Sequence, residues 1–117
     1  MQNIIKSERQ SKALQYAIDQ IKQSPICPFV SELYLYGSCA RNEEKFDSDV
    51  DLLLELHDDF PVDSPLRIDL VRLRSNVSSG DIDDPETDLK VVIGNTWKDN
   101  KMWYYRNVRK EGKKIWH

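Results

Sequence analysis

Leu14, Ala17, Ile18 and Ile21 recur at the i, i+3, i+4, i+7 spacing of one helical face. Pro25 stops the run, so residues 8–24 read as a helix. Residues 25–30 carry Pro25 and Pro28 and read as a loop. Leu33-Tyr34-Leu35-Tyr36 is an apolar and aromatic stretch that ends at Gly37, the pattern of a buried strand. Ser38 to Asn42 can open a short helix, and the charged residues 43–48 read as a loop. The period then changes to two: Val50, Leu52, Leu54 and Leu56 alternate with Asp51, Leu53 and Glu55. That alternation predicts a second strand, with Asp49 and Asp51 on one face of it. Ser64-Pro65 is a helix start, a capping serine before a proline at the first helical position. Leu66, Leu70, Leu73 and Val77 share the face that follows, with Gly80 as a candidate cap.

Residues 81–86 form an acidic loop, and Leu89-Lys90-Val91-Val92-Ile93 is a short β-branched third strand. Asn95 or Thr96 can cap a last helix from about Trp97 to Glu111, turning Trp97, Tyr104, Tyr105 and Val108 inward and closing at Gly112. The order α-β-α-β-α-β-α, with short connections, predicts one α/β or α+β domain over residues 1–117, built around a small sheet.

Composition narrows the class. The chain has 117 residues, a formal net charge of −3 and 32% charged side chains, which fits one core under a heavily ionised surface. No apolar run approaches the roughly 20 residues that cross a bilayer. Met1-Gln2-Asn3-Ile4-Ile5-Lys6 lacks the apolar stretch of a secretory signal. Cys27 and Cys39 are too few for a disulfide framework or a four-cysteine zinc site. The expected compartment is the cytoplasm, with both thiols reduced.

Charge is unevenly spread. Residues 41–88 hold 15 acidic and 5 basic side chains, whereas residues 89–117 hold 8 basic and 2 acidic ones. The acidic middle is either a set of solvated loops or a divalent-cation site built from clustered oxygens. The basic end is either an exposed helix face or a contact for nucleic acid or an acidic partner.

Two short motifs carry candidate chemistry. Gly37-Ser38 lies at the end of the first strand, where glycine lets an anion approach free backbone N–H groups and the serine hydroxyl adds a donor. Ten residues separate Ser38 from Asp49-Val50-Asp51, at the start of the second strand. Two carboxylates about 5 Å apart repel by roughly 3 kcal/mol at an effective dielectric of about 20. Such a pair needs a cation, a shared proton or full exposure, and Mg²⁺ suits it because it binds one or two carboxylates together with phosphate oxygens.

Leu33-Tyr34-Leu35-Tyr36-Gly37-Ser38-Cys39-Ala40-Arg41, followed by Asp47-Ser48-Asp49-Val50-Asp51-Leu52-Leu53, resembles the minimal nucleotidyltransferases of the DNA polymerase β superfamily. The motif covers residues 33–54, and the element order agrees over residues 8–112. The resemblance implies a palm-like fold, one small mixed sheet of about three to four strands flanked by helices. It implies two-metal nucleotidyl transfer, with Asp49 and Asp51 holding Mg²⁺ against the triphosphate of ATP or another NTP. Gly37 and Ser38 would cradle the β- and γ-phosphates, and Arg41 would add positive charge there. The family's third carboxylate has two candidates: Asp88, at the head of the third strand, and Asp69, in Arg67-Ile68-Asp69-Leu70-Val71. Asp88 is preferred because the leucine stripe makes residues 65–79 helical; it would hold metal and orient or deprotonate the attacking hydroxyl.

No domain is left over to hold an acceptor, so a partner protein or a homodimer would supply it. Minimal members are commonly the antitoxin of a two-gene pair, resembling enzymes that transfer AMP to a tyrosine of a HEPN-type toxin. The alternative is a binding module of the same fold that neutralises its partner by contact. Direct nucleic-acid binding fits the basic end, but the acidic middle argues against a long phosphate-tracking groove. Cys39, at an expected helix start, would have a lowered pKa, but neither it nor Ser38 has an activating histidine; the chain holds only His57 and His117. Trp97, Trp103, Tyr104 and Tyr105, beside Lys101, Arg106 and Arg109, read as core packing with a solvated back face, or as a base-stacking or partner surface.

Overall fold

The structure is a computed structural model that describes residues 5–116. Helix α1 (Glu8–Gln23) buries Leu14, Ala17, Ile18 and Ile21, the four residues of the predicted face. A 3₁₀ turn at Cys27–Phe29 leads into β1 (Val30–Tyr36). Then follow β2 (Val50–Leu56), α2 (Leu66–Asn76) and β3 (Thr87–Ile93). A second 3₁₀ turn (Thr96–Asp99), α3 (Trp103–Glu111) and β4 (Lys113–Lys114) complete the order. The strands form one mixed sheet ordered β3-β2-β1-β4. β1 runs antiparallel to β2 and β4, and β3 runs parallel to β2. A parallel neighbour needs a crossover, and α2 supplies it.

The period of two decides which side of the sheet each residue faces. Leu33, Leu35, Val50, Leu52, Leu54, Leu56 and Leu89 join the α1 side chains, Leu73 and Val77 in the main core. Tyr34, Tyr36 and Leu53 form a smaller cluster with Trp97 and Val108 on the opposite face, with Val92, Tyr104 and Tyr105 packed against it. The α/β reading and the small mixed sheet are therefore observed.

Four local expectations change. Ser38–Asn42 is a hydrogen-bonded turn, not a helix: the Gly37 carbonyl accepts from the Ala40 and Arg41 N–H groups, and Asn42 then takes a φ of 58°. α2 begins at Leu66, with the Ser64 hydroxyl accepting its N–H at 3.2 Å, and ends at Asn76, before Gly80 can cap it. The expected helix over 97–111 breaks at Asn100, whose side-chain oxygen accepts the Met102 N–H at 2.9 Å. Its carbonyl accepts Arg109 Nη1 at 2.7 Å, and both bonds compete with a continuous helix. β4 is an added strand, two residues long, with no alternating apolar pattern to announce it.

Candidate active site

The site gathers at one end of the sheet, where β1 stops and β2 and β3 start. Gly37 follows β1 at a φ of 77°, a conformation that favours glycine. A side chain there would also collide with the Asp51 carboxylate. Residue 37 is therefore glycine for two reasons, backbone twist and close approach of the acid. Its N–H donates to Glu111 Oε1 at 3.3 Å, so the expected free backbone donor is occupied by an internal carboxylate. Arg41, at the end of the turn, donates from Nη1 to the same Glu111 oxygen at 2.8 Å and from Nε to Glu43 at 3.2 Å. These bonds, Glu111 first, raise the guanidinium further above its ordinary value.

Register brings the carboxylates together. Asp51 is the partner of Tyr36 on β1 and of Asp88 on β3, and Asp49 lies just before β2. Burial pushes the Asp51 carboxyl up to about 6; the charges of Asp88 and Asp49 add to this, while Lys90 and Arg41 oppose it. The ionised form of Asp51 is thus disfavoured by its burial and by the two neighbouring acids. Asp69 is on α2, beside Gln20, Gln23 and Arg72 at the rim of a different hollow, and takes no part in this cluster.

Lys90 was not among the expected site residues. Its Nζ lies 2.6 Å from Asp88 Oδ2 and 5.2 Å from the centroid of the Tyr104 ring. Burial opposes the Lys90 charge, but bonds to Asp88 and the Tyr36 hydroxyl outweigh it and raise the ammonium. Lys90 follows Asp88 by two residues on the same strand, so both project to one face. That spacing is the one sequence signal that could have found it.

The donor set is oxygen-only and anionic, the chemistry of Mg²⁺ rather than of a soft metal. The raised Asp51 carboxyl marks charge short of counter-charge, and that carboxylate lies hard against the Gly37 backbone. The residues fit a divalent cation by chemistry. Among the described residues, however, no three His, Cys, Asp or Glu side chains are already closed around a metal position. Lys90 holds one oxygen of Asp88 instead.

The spacer between the two motifs is fixed from α1. Gln10 is fully buried, and its Nε2 donates to the carbonyls of Lys45, Phe46 and Ser48 at 2.9, 3.1 and 3.2 Å. The Ser7 N–H donates to Glu44 at 2.8 Å. Cys39 is buried, with its thiol donating to the Asp49 carbonyl at 3.5 Å. Burial pushes that thiol up to about 11, so the lowered pKa expected at a helix start is not found: there is no helix there, and the surroundings are apolar and acidic. Cys39 packs the loop, and neither cysteine forms a disulfide.

Residues 8–115 match the family model described as a nucleotidyltransferase domain. The chain belongs to that family. It is a nucleotidyltransferase, and its fold recurs in solved structures. A candidate nucleotidyltransferase from Sulfolobus solfataricus is 22% identical, with a TM-score of 0.58, covering 93% of this chain and 84% of its own. A toxin–antitoxin structure with AMP-PNP is 20% identical with a TM-score of 0.58, covering 87% of this nucleotidyltransferase and 71% of that chain. A mutant of the toxin–antitoxin pair MntA-HpeT is 19% identical with a TM-score of 0.51, covering 92% and 71%. At these identities the likeness is one of fold. No curated protein matches the sequence. Among the described residues, no helix is long and apolar enough to cross a membrane.

Proposed function

We propose that this nucleotidyltransferase transfers a nucleoside monophosphate, AMP from ATP, to an acceptor hydroxyl, and that the acceptor is a tyrosine of a partner toxin of the HEPN type. The observation that carries the transfer chemistry is the register pairing of Asp51 with Asp88 beside the Gly37 turn. Gly37, Ser38 and Arg41 hold the β- and γ-phosphates. Asp49, Asp51 and Asp88 hold the metals, and Asp88 orients the acceptor hydroxyl or takes its proton. The acceptor oxygen attacks the α-phosphorus, the bond to the β-phosphate oxygen breaks, and pyrophosphate leaves. Mg²⁺, when bound, stabilises the charge on the attacking and leaving oxygens. The chain itself contributes position and a fixed field. Two structural neighbours are toxin–antitoxin assemblies, one with AMP-PNP, which supports an ATP-like donor and a protein partner.

A second reading has its own support. Asp88 is engaged by Lys90, and Gly37 and Arg41 by Glu111, so each end of the site already has an internal partner. A chain closed in this way neutralises its partner by contact alone. One experiment decides. Wild type and the Asp49→Asn/Asp51→Asn double variant are heated with and without MgATP, and a co-purified partner is weighed by intact mass. A ligand at about 100 times its Kd adds about 2.7 kcal/mol, a rise on the order of 10 °C in a domain this small. A Mg²⁺-dependent rise absent from the variant, with AMP increments on the partner, is expected. No rise and no mass change, with the partner still bound, sinks the transfer reading and leaves the contact reading.

A further inference from the structure

Two donors assigned above to nucleotide phosphates, the Gly37 N–H and the Arg41 guanidinium, converge on a single oxygen of Glu111, at 3.3 and 2.8 Å. A backbone N–H in a tight turn joined by an arginine is how proteins bind a phosphate oxygen, and here the bound anion belongs to the chain itself. The contact is built in rather than incidental. β4 pairs Lys114 with Tyr34 and Lys113 with Leu35. Glu111 closes α3 two residues before that strand, within reach of Gly37 just past the end of β1. The Gly112 N–H donates to the Val108 carbonyl at 2.8 Å, and a side chain at 112 would strike that carbonyl. The backbone on both sides of Glu111 is therefore fixed, and its side chain is only 19% exposed.

Resting on the nucleotide reading above, we propose that Glu111 is an internal competitor for the phosphate cradle, an affinity- and specificity-setting residue that an incoming polyphosphate must displace. An anion placed on Gly37 and Arg41 meets the Glu111 charge at short range and contends for the same donors. Weakly charged ligands cannot outbid it, whereas a triphosphate with Mg²⁺ replaces both bonds and adds contacts of its own. Withdrawal needs no backbone change, since rotation of the glutamate side chain clears the position. Arg41 stays held by Glu43 at 3.2 Å while this happens, and is not lost to solvent.

The test uses the full chain, with calorimetric titration of a non-cleavable ATP analogue with Mg²⁺ and, separately, of inorganic tripolyphosphate. The proteins are wild type, Glu111→Gln, which keeps the shape and removes the charge, and Glu111→Asp, which draws the carboxylate back from Gly37. The expected result is a Kd about tenfold lower in Glu111→Gln for both probes, with a smaller gain of the same sign in Glu111→Asp. Should Glu111 instead serve to hold Arg41 in place, Glu111→Gln binds more weakly, and the inference falls. Equal affinity in wild type and variants also overturns it, while leaving the nucleotide reading intact. Binding by none of the three proteins removes the nucleotide reading and this inference with it. A ligand-free readout stands beside these: the Gly37 amide proton moves upfield in the NMR spectrum of Glu111→Gln once its charged acceptor is gone. An unmoved amide shows that the contact does not form in solution and overturns the inference whatever the titrations give.

Discussion

The two faces of the sheet are made from alternate residues of the same strands, yet they obey different rules. Along β2, Val50, Leu52, Leu54 and Leu56 face α1 and α2 and are fully buried. The residues between them are Asp51, Leu53 and Glu55, and two of those three are acids. The first face is saturated with apolar contact, each leucine contributing about 1.5–3 kcal/mol by burial. The second places its acids one by one against specific partners. Glu55 is buried and accepts the Trp97 indole N–H at 2.7 Å, whereas Asp51 has Asp88, Asp49, Lys90 and Arg41 around it and a carboxyl pushed up to about 6. Glu55 is satisfied by its indole partner; Asp51 sits among other acids with its charged form disfavoured. One face therefore provides the stability that the other spends on holding like charges together.

Breaking the apolar face has the largest effect. Leu54→Ala removes a fully buried side chain from the main core and is expected to cost about 3 kcal/mol in urea unfolding. Nucleotide affinity of the molecules that remain folded stays as in wild type, because Leu54 points away from Asp51. If the affinity falls in proportion to the stability, the two faces are not separable.

Gln10 is where the two regions meet. It sits in α1, on the apolar side, but holds the loop that delivers Asp49 to the other side. Gln10→Ala leaves the Lys45, Phe46 and Ser48 carbonyls without that donor, at a cost of about 2 kcal/mol. Unlike Leu54→Ala, it is expected to weaken Mg²⁺-nucleotide binding as well, since Asp49 loses its fixed approach. Unfolding and titration of the same preparation check both halves, and a loss of stability with unchanged binding would confine Gln10 to the apolar face.

How much of this could be read beforehand follows the same division. The helical stripe of α1 and the alternation of β2 are one-dimensional patterns, and the structure keeps them to within a residue. β1 was read only from Leu33 because a bulge between Val30 and Glu32 hides the alternation at its start. Asp88 came only through the family resemblance, and the turn after Gly37 was expected as a helix, whereas the acids at 49 and 51 were legible from the alternation of β2. Glu111, Lys90 and Gln10 were not. Lys90, two residues from Asp88, had only that spacing to announce it, while Glu111 acts on a residue 74 positions away and Gln10 on carbonyls 35 to 38 away, and no spacing rule reports such contacts. β4 was missed for the same reason, since two lysines become a strand only when β1 offers an edge.

The smallest effect separates the faces by pH. The Asp51 carboxyl titrates near its usual 3.8 in the unfolded chain and at about 6 in the folded one, burial being the main cause and Asp88 the next. The folded state therefore binds the proton more tightly, and the contribution of Asp51 to stability falls as pH rises from about 4 to about 6. Above that window the penalty is complete. Asp51→Asn has no such titration, so its advantage over wild type should grow from near zero at about pH 4 to about 1 kcal/mol at about pH 7, after discounting for solvent screening of a half-buried group. Urea midpoints across that range measure the difference directly. The gap between Leu54→Ala and wild type should stay flat over the same range, because no charge changes on the apolar face. Mg²⁺ binds the ionised carboxylate, so it should recover the lost stability of wild type above pH 6 and do little at about pH 4.5. An Asp51→Asn advantage that does not vary with pH would mean that the carboxylate is already compensated in the free chain. The acidic face would then be another satisfied surface, like Glu55 with Trp97, and not a site waiting for a cation.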